Sequence, residues 1–356
     1  MRGQIVKLKR LEDQVVVITG ATSGIGLVTA RMAAKRGAKL VLVARTEPAL
    51  CELTEELRAA GADAIYVKAD VGVERDVRNV RDAACMEFGG FDTWVNNAAV
   101  SIYGKVTDVP IDDHRRLFDT NYWGVVYGSL VAADHLANKG GAIINIGSTL
   151  SDRAIPIQGT YSASKHAVKG FTDALRMELE HDKAPISVTL IKPSAINTPY
   201  TLHAKNYLPT EPEVPAPVYA PETVAEAVLY AAENPVRDLY VGAAAKALSM
   251  AGYYAPGLTD KFMQRTMFES DEREKHAAGQ HNALNNPSGE LKERGDYEGH
   301  VVKTSLYTKA RLHPRITAGS FAFLATALGY ALFRRANASG NTSRGSINGF
   351  NPQKEM

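Results

Sequence analysis

The chain has 356 residues, 45 % of them apolar, and a formal net charge of +2. That apolar share is enough for a buried core, while the balanced charge and the lack of a basic block exclude a phosphate-tracking surface, so no nucleic-acid partner is expected. Two cysteines, Cys51 and Cys85, exclude a disulfide framework and point to a reducing compartment.

The opening stretch, MRGQIVKLKRLEDQ, carries basic residues with no apolar run behind them, so no secretory signal is expected and the reading is cytoplasmic. Residues 1–11 read as an N-terminal arm. Short β-branched runs then alternate with helical patterns. Strands are predicted at VVVIT (15–19), LVLVA (40–44), IYVKA (65–69), TWVNN (93–97), AIINI (142–146), SVTLI (187–191) and LYVG (239–242). Their near-continuous apolar character suits a parallel sheet covered on both faces. Helices are predicted over 24–36, 47–60, 73–88, 111–138, 160–183 and 222–233. The alternation predicts an α/β doubly wound domain over 12–255, with about seven strands and helices on both faces.

The first strand ends in TGATSGIG (19–26) and runs straight into a helix. Gly20 permits a tight turn, Gly24 lets backbone approach a pyrophosphate, and Gly26 allows close helix–sheet packing. The helix N-terminus then offers free N–H groups to an anion. The spacing is G-x3-G-x-G rather than the G-x-G-x-x-G of the standard dinucleotide turn. The second strand closes on Ala44-Arg45. An acid there would hold the ribose 2′-OH of NAD; Arg45, with Ser23, instead suits the 2′-phosphate of NADP. The bland alternative is an arginine snorkelling off a strand end. In YSASK (161–165), Tyr161 and Lys165 share one helix face. A lysine ammonium beside a phenol favours the phenolate, making Tyr161 a proton donor or acceptor near neutral pH. Alone, the pentapeptide also fits an ordinary surface helix.

The alternation breaks at residues 194–221, a Pro-rich stretch without periodicity that reads as a substrate loop. Residues 256–312 read as a mostly polar extension, with 269–300 as linker or disorder. His276 and His281 lie there without a carboxylate or cysteine pattern, so no metal is expected. Within an apolar helix predicted over 313–336, residues 316–333 carry no charge. Such a helix spans roughly 27 Å, close to a bilayer core. It is read as a membrane anchor, with a helix docked on protein or on a second subunit as the alternative. Residues 337–356 read as a disordered tail.

Taken in order across residues 12–245, these motifs resemble the short-chain dehydrogenase/reductase family. TGATSGIG matches its cofactor turn, Asp70 and Val71 in KADV its adenine site, and NNAA (96–99) its NNAG, departing at Ala99. Asn121 in DTNYWG, Ser148 in INIGS, Tyr161 and Lys165 fall at its catalytic positions. KPSAINTP (192–199) stands for PG-x-x-x-T, with Ser194 replacing the glycine while Pro193 and Thr198 remain. The resemblance implies a Rossmann-type fold holding NADP(H) through Gly20, Ser23, Gly24, Ile25, Gly26, Arg45, Asp70, Val71, Asn97, Ala98, Ala99, Tyr161, Lys165, Pro193, Ile196 and Thr198. It implies an oxidoreductase acting on the CH–OH group of donors or, in reverse, on a carbonyl. Tyr161 would exchange the proton and Ser148 would hold the carbonyl oxygen. Lys165 would lower the Tyr161 pKa and bind the nicotinamide ribose, and Asn121 would keep a water in line. The small side chains of Ser162, Ala163 and Ser164 would let that helix lie close to the cofactor.

The cofactor's poise suggests a reductase. Val100, Ile102, Tyr103, Ile155, Ile157, Tyr200 and Tyr207 are candidate pocket linings, and their apolar character suits a lipid-, steroid- or aromatic-type carbonyl. A catalytically silent NADP-binding scaffold or sensor is the alternative, against which the four intact catalytic positions count. The family also implies a homodimer or homotetramer, paired through 111–138 and 160–183.

Overall fold

The structure, a computed structural model, describes residues 6–212, 214–269, 282–288 and 291–313, with 317 and 330. The apolar runs become strands, and the central ones are shut from solvent on both faces. β1 (Val15–Thr19) is buried throughout. It leads through the glycine turn to α1 (Gly24–Lys35), followed by β2 (Lys39–Ala44), α2 (Glu47–Ala59), β3 (Ala64–Lys68), α3 (Glu74–Phe88) and β4 (Thr93–Asn96). A two-residue β5 (Ile102–Tyr103) precedes α4 (Ile111–Phe118) and α5 (Gly124–Leu136). Then come β6 (Gly141–Ile146), α6 (Gly159–His181) and β7 (Ile186–Pro193). The sheet has seven strands in the order β3-β2-β1-β4-β6-β7, closed by β10 (Asp238–Val241) at its edge. Every pairing in it is parallel. This is the expected Rossmann-type sheet.

Alternate residues of each strand face opposite layers. Val15 and Val17 share a core with Val77 and Val80 of α3, Val131 and Leu136 of α5, and Leu175 of α6. The other face is covered by α1 and α8 (Glu222–Glu233), which pack on each other. The strand order reverses between β1 and β4, and the crevice at their carboxyl ends is where such sheets bind ligands. A buried polar chain fixes the depth of α6. The Asn96 amide donates to Asn145 Oδ1 at 2.8 Å, and the Asn145 amide donates to the Thr172 hydroxyl at 2.9 Å.

Three expectations are corrected. The helix predicted over 111–138 is broken by one wide π turn, Asp119–Trp123, between α4 and α5. That turn swings Asn121 inward, where it is fully buried. The Pro-rich stretch is partly ordered into α7 (Tyr200–His203), β8 (Lys205–Asn206), paired with β5, and β9 (Val218–Tyr219), paired with β11 (Val301–Val302). The segment expected as a polar linker is folded wherever it is described. After α9 (Ala243–Tyr254), residues Pro256–Glu269 form α10, packed on α9. Residues 282–288 and 291–302 return to the mouth of the β1–β4 crevice, anchored by the fully buried Leu284. Their polar composition hid this, because main-chain hydrogen bonds, the ion pairs Arg31–Glu293 and Glu222–Arg294, and one buried leucine hold the segment.

One compact unit spans residues 1–308, and a second spans 309–356; α11 (Leu306–Leu312) crosses the boundary. The apolar run 316–333 lies outside the described residues except at 317 and 330, as do His276 and His281. Among the described residues no helix is long and apolar enough to cross a membrane.

Candidate active site

The glycine turn is built by steric necessity. Gly20 has φ 66°, in the left-handed region. A Cβ on Gly26 would stand 2.1 Å from the Gly20 carbonyl oxygen and 2.6 Å from the Asn97 amide nitrogen. The NNAA turn is bound to the same strand end. The Asn97 side chain donates to the Thr19 carbonyl at 2.9 Å, and the Thr19 hydroxyl accepts from the Asn97 and Ala98 N–H groups.

A cavity of about 990 Å³ opens above these two turns. Gly20, Ser23, Gly24, Ile25, Asn97, Ala98 and Ala99 line it, as do Ser148, Tyr161, Lys165, Pro193, Ile196 and Thr198. Most of the residues expected to hold a dinucleotide therefore converge on one space. The tight glycine cradle, which a Cβ would fill, fits that group. Gly26 and Asn121 are buried behind the wall, and Arg45, Asp70 and Val71 stand beyond the cavity's end.

Ser148 caps the short turn Thr149–Ser151. Its oxygen accepts from the Leu150 N–H at 3.1 Å, and its own N–H donates to the Ser151 hydroxyl. This cap fixes the Ser148 oxygen at the cavity, where the hydroxyl also hydrogen-bonds Tyr161. Tyr161 and Lys165 lie one turn apart on α6, both buried. The Lys165 ammonium is 5.6 Å from the Tyr161 ring centroid and donates to the Ile146 carbonyl at 2.8 Å. Burial pushes the Tyr161 phenol up to about 12, against hydrogen bonds with Tyr200 and Ser148 that lower it. Burial also brings Lys165 down to about 8. In the protein alone, desolvation thus sets the direction for Tyr161, and the groups opposing it are Tyr200 and Ser148.

The Asn121 side chain is bound to protein at both ends. Its Oδ1 accepts from the Val100 N–H at 2.8 Å, and its amide donates to the Val100 carbonyl at 3.0 Å and the Ser164 hydroxyl at 3.2 Å. Both ends are committed, so the side chain locks the NNAA turn onto α6. Ser194, the departure from the family motif, costs nothing. Its N–H donates to the Val241 carbonyl at 3.0 Å, and among the described non-glycine residues only Ile157 and Lys183 have positive φ. Ile157, at 55°, is a strained β-branched residue. It stands directly before Gln158, whose amide donates to the Ser101 and Tyr200 hydroxyls.

Of the expected pocket linings, Val100, Tyr103, Ile155 and Tyr200 face the cavity. Ile102, Ile157 and Tyr207 do not. Ile102 is core, and the Tyr207 hydroxyl bonds Asp113. Tyr200 packs edge-on against Tyr161, with ring centroids 5.4 Å apart. Sequence reasoning missed the apolar wall from α9 and α10, which supplies Leu248, Leu258, Phe262, Met263 and Met267; the spacing of the last four was its signal.

It also missed Arg116. This residue pairs with Asp70 at 2.5 Å and donates through Nε to the Leu284 carbonyl at 3.2 Å. Arg45 donates to that same carbonyl at 3.3 Å, so two guanidinium groups meet at one oxygen. Burial chiefly pulls the Arg45 guanidinium below its ordinary value, with Asp70 opposing and Arg116 adding.

The comparisons with known proteins agree with this geometry. Residues 14–206 match the family model described as short chain dehydrogenase. The chain is 50 % identical over 323 residues to the uncharacterized oxidoreductase YxnA of Bacillus subtilis, covering 90 % of this chain and 91 % of that one. It is 41 % identical over 190 residues to 11-beta-hydroxysteroid dehydrogenase A of Sesamum indicum, covering 53 % of this chain and 54 % of that one. A short chain dehydrogenase/reductase from Burkholderia phymatum, solved in complex with NAD, superposes with a TM-score of 0.65 at 27 % identity, covering 70 % of this chain and 96 % of that one. An alcohol dehydrogenase from Thermococcus sibiricus, complexed with 5-hydroxy-NADP, gives 0.57 at 26 % identity, covering 64 % and 95 %.

Proposed function

The chain belongs to the short-chain dehydrogenase/reductase family of oxidoreductases, and we propose that it reduces lipophilic ketones, or oxidises the matching secondary alcohols, with NADP(H). The observation that carries this reading is the convergence of Ser148, Tyr161 and Lys165 on the cavity that the glycine turn opens. When bound, the nicotinamide supplies or accepts the hydride. The Ser148 hydroxyl, its oxygen fixed by the Leu150 N–H, donates to the substrate oxygen and sets its position. Tyr161, held at about 12 by burial, is protonated at neutral pH and donates to the oxygen as negative charge develops there. This protonation state suits reduction. Lys165 has one N–H engaged by Ile146 and others to give to ribose hydroxyls. Asn121 holds the turn against which these groups are aligned.

Arg45 and Arg116, with no acid at the end of β2, support NADP over NAD. The two solved relatives do not choose, since one was complexed with NAD and the other with an NADP derivative. The apolar wall of α9 and α10 supports a lipid-, steroid- or aromatic-type substrate, and the sesame relative is named as a steroid dehydrogenase. Leu258 and Phe262 line the cavity while 72 % and 58 % exposed, which gives the mouth an apolar rim. A homodimer or homotetramer is supported by exposed Leu130 on α5 and Met177 on α6, with exposed Trp123 in the turn before α5. The uncharged run 316–333 is the feature that supports membrane anchoring.

The test is NADPH consumption, with NADH in parallel, across carbonyls from small polar aldehydes to long-chain and steroidal ketones. NADPH-linked turnover confined to the lipophilic end is expected. Turnover confined to small polar carbonyls would refute the substrate class. Cofactor binding with no turnover anywhere would favour the silent scaffold.

A further inference from the structure

The adenosine end of the cleft is filled by the chain itself. Three groups that this fold offers to a dinucleotide's phosphates each meet a main-chain carbonyl of the C-terminal segment. The Gly24 N–H, at the N-terminus of α1, donates to the Lys292 carbonyl at 2.9 Å. The Arg45 guanidinium donates to the carbonyls of Ala283 and Leu284, and Arg116 adds its own N–H to Leu284. A carbonyl oxygen at a helix N-terminus or before paired guanidinium groups is a neutral stand-in for a phosphate oxygen.

Side chains complete the seat. Leu284 is fully buried in one apolar cluster with Val100, Leu117 and Tyr161. The Thr46 hydroxyl donates to the Ser288 carbonyl at 2.6 Å, and the Gly295 N–H donates to Asn197 Oδ1 at 3.1 Å. The open cavity includes Gly20 and Ile25 but stops short of Arg45, Asp70 and Val71. That end is where Ala283 and Leu284 lie.

We propose that residues 282–288 and 291–295 are a built-in occupant of the adenosine half of the cleft, which a nicotinamide dinucleotide must displace in order to bind. The inference rests on the cofactor reading above. Displacement frees Gly24, Arg45 and Arg116 for phosphate. A dianionic 2′-phosphate is a stronger acceptor for guanidinium than a carbonyl, so NADP(H) regains more than the segment gave up and NAD(H) regains less. The displacement term itself is common to both cofactors and lowers both affinities by one factor. A segment closed in about nine molecules of ten weakens apparent binding about tenfold, because only the open fraction binds. Displacement also removes the hydrogen bond from the Ala283 N–H to the His203 carbonyl, 2.7 Å long, at the end of α7. Tyr200, at the start of that helix, packs on Tyr161, so cofactor arrival is coupled to the substrate side of the cavity.

The experiment is equilibrium binding of NADPH and of NADH to the full chain, wild type and Leu284→Ser. Both dissociation constants are expected to fall in the variant by the same factor, about tenfold for the closed fraction above. Weaker binding in the variant would make the segment a structural part of the cofactor site, and unchanged binding would make it a bystander; either overturns the proposal. Hydrogen exchange on the wild type gives a readout that does not depend on the variant folding. NADPH should speed exchange of the 282–288 amides, and slower or unchanged exchange overturns the proposal. If neither chain binds either cofactor, the cofactor reading falls and this proposal with it. Binding with the wrong sign of change removes this proposal alone.

Discussion

Tyr161 and Lys165 show how burial alone sets a proton-transfer pair before any ligand arrives. The phenol stands at about 12 and the ammonium at about 8, each moved by desolvation toward its neutral form. The lysine shift has a stability consequence whose sign is fixed. Between about 8 and its ordinary value of 10.5, the unfolded chain binds the proton that the folded chain has lost. Folding stability from this group therefore rises with pH across that window, and the cost is fully present below it. The stability difference between wild type and Lys165→Met should shift by about 3 kcal/mol in favour of the wild type over that window. Denaturation of both proteins at pH 7 and pH 10 checks it, and a pH-independent difference would mean Lys165 is not desolvated. Tyr161→Phe removes the proton donor while keeping the ring's packing on Tyr200. Turnover should fall about 10²–10⁴-fold with NADPH affinity nearly intact, and lost cofactor binding would contradict the assigned role. Ser148, Tyr161 and Lys165 were legible because residue type, order and spacing all survive in one dimension. Arg116 was not, because its partner Asp70 lies 46 residues away and nothing local says which of two adjacent arginines turns inward.

At the scale of elements, the strands were legible and the interruptions were not. A strand buried on both faces writes its apolar run directly into the sequence, whereas the π turn at Asp119–Trp123 leaves the helical pattern on either side intact. The turn exists to bring Asn121 onto Val100, a contact that only the assembled sheet creates. The glycine turn gives the sharpest element-level expectation. Gly26→Ala forces a Cβ against the Gly20 carbonyl and should cost about 1–3 kcal/mol of stability, as overpacking does, along with cofactor binding. Gly170, in α6, has nothing within 4 Å of an added Cβ. Gly170→Ala should instead stabilise the protein by about 0.5–1 kcal/mol. Thermal or chemical denaturation of the two variants checks the contrast, and equal effects would contradict this account of the turn. α10 was hidden differently, since its apolar residues face a cavity and the remainder is polar enough to resemble a linker.

For the whole molecule, the long-range returns of the chain were the least legible. Residues 282–288 and 291–302 reach Arg45, Thr46 and Gly24 from more than 230 positions away, through main-chain groups that every sequence possesses. Such contacts have no signature in composition. Assembly is decided at this scale as well. Leu130 on α5, Met177 on α6 and Trp123 in the turn before α5 present apolar surface on the two segments through which the family resemblance implies dimerisation. Placing charges there, with Leu130→Asp and Met177→Asp together, should convert the oligomer to monomer in light scattering while leaving NADPH binding in place. An oligomer of unchanged mass would put the interface elsewhere.

The most direct measurement of the central claim follows the hydride itself. NADPH carrying deuterium at both C4 positions of the nicotinamide would be supplied with the best-reduced lipophilic ketone, using the wild type and Tyr161→Phe. The account expects deuterium at the product's carbinol carbon with the wild type and little product with the variant. Product without deuterium, or equal labelled product from both proteins, would contradict Tyr161-dependent hydride transfer as the function of this site.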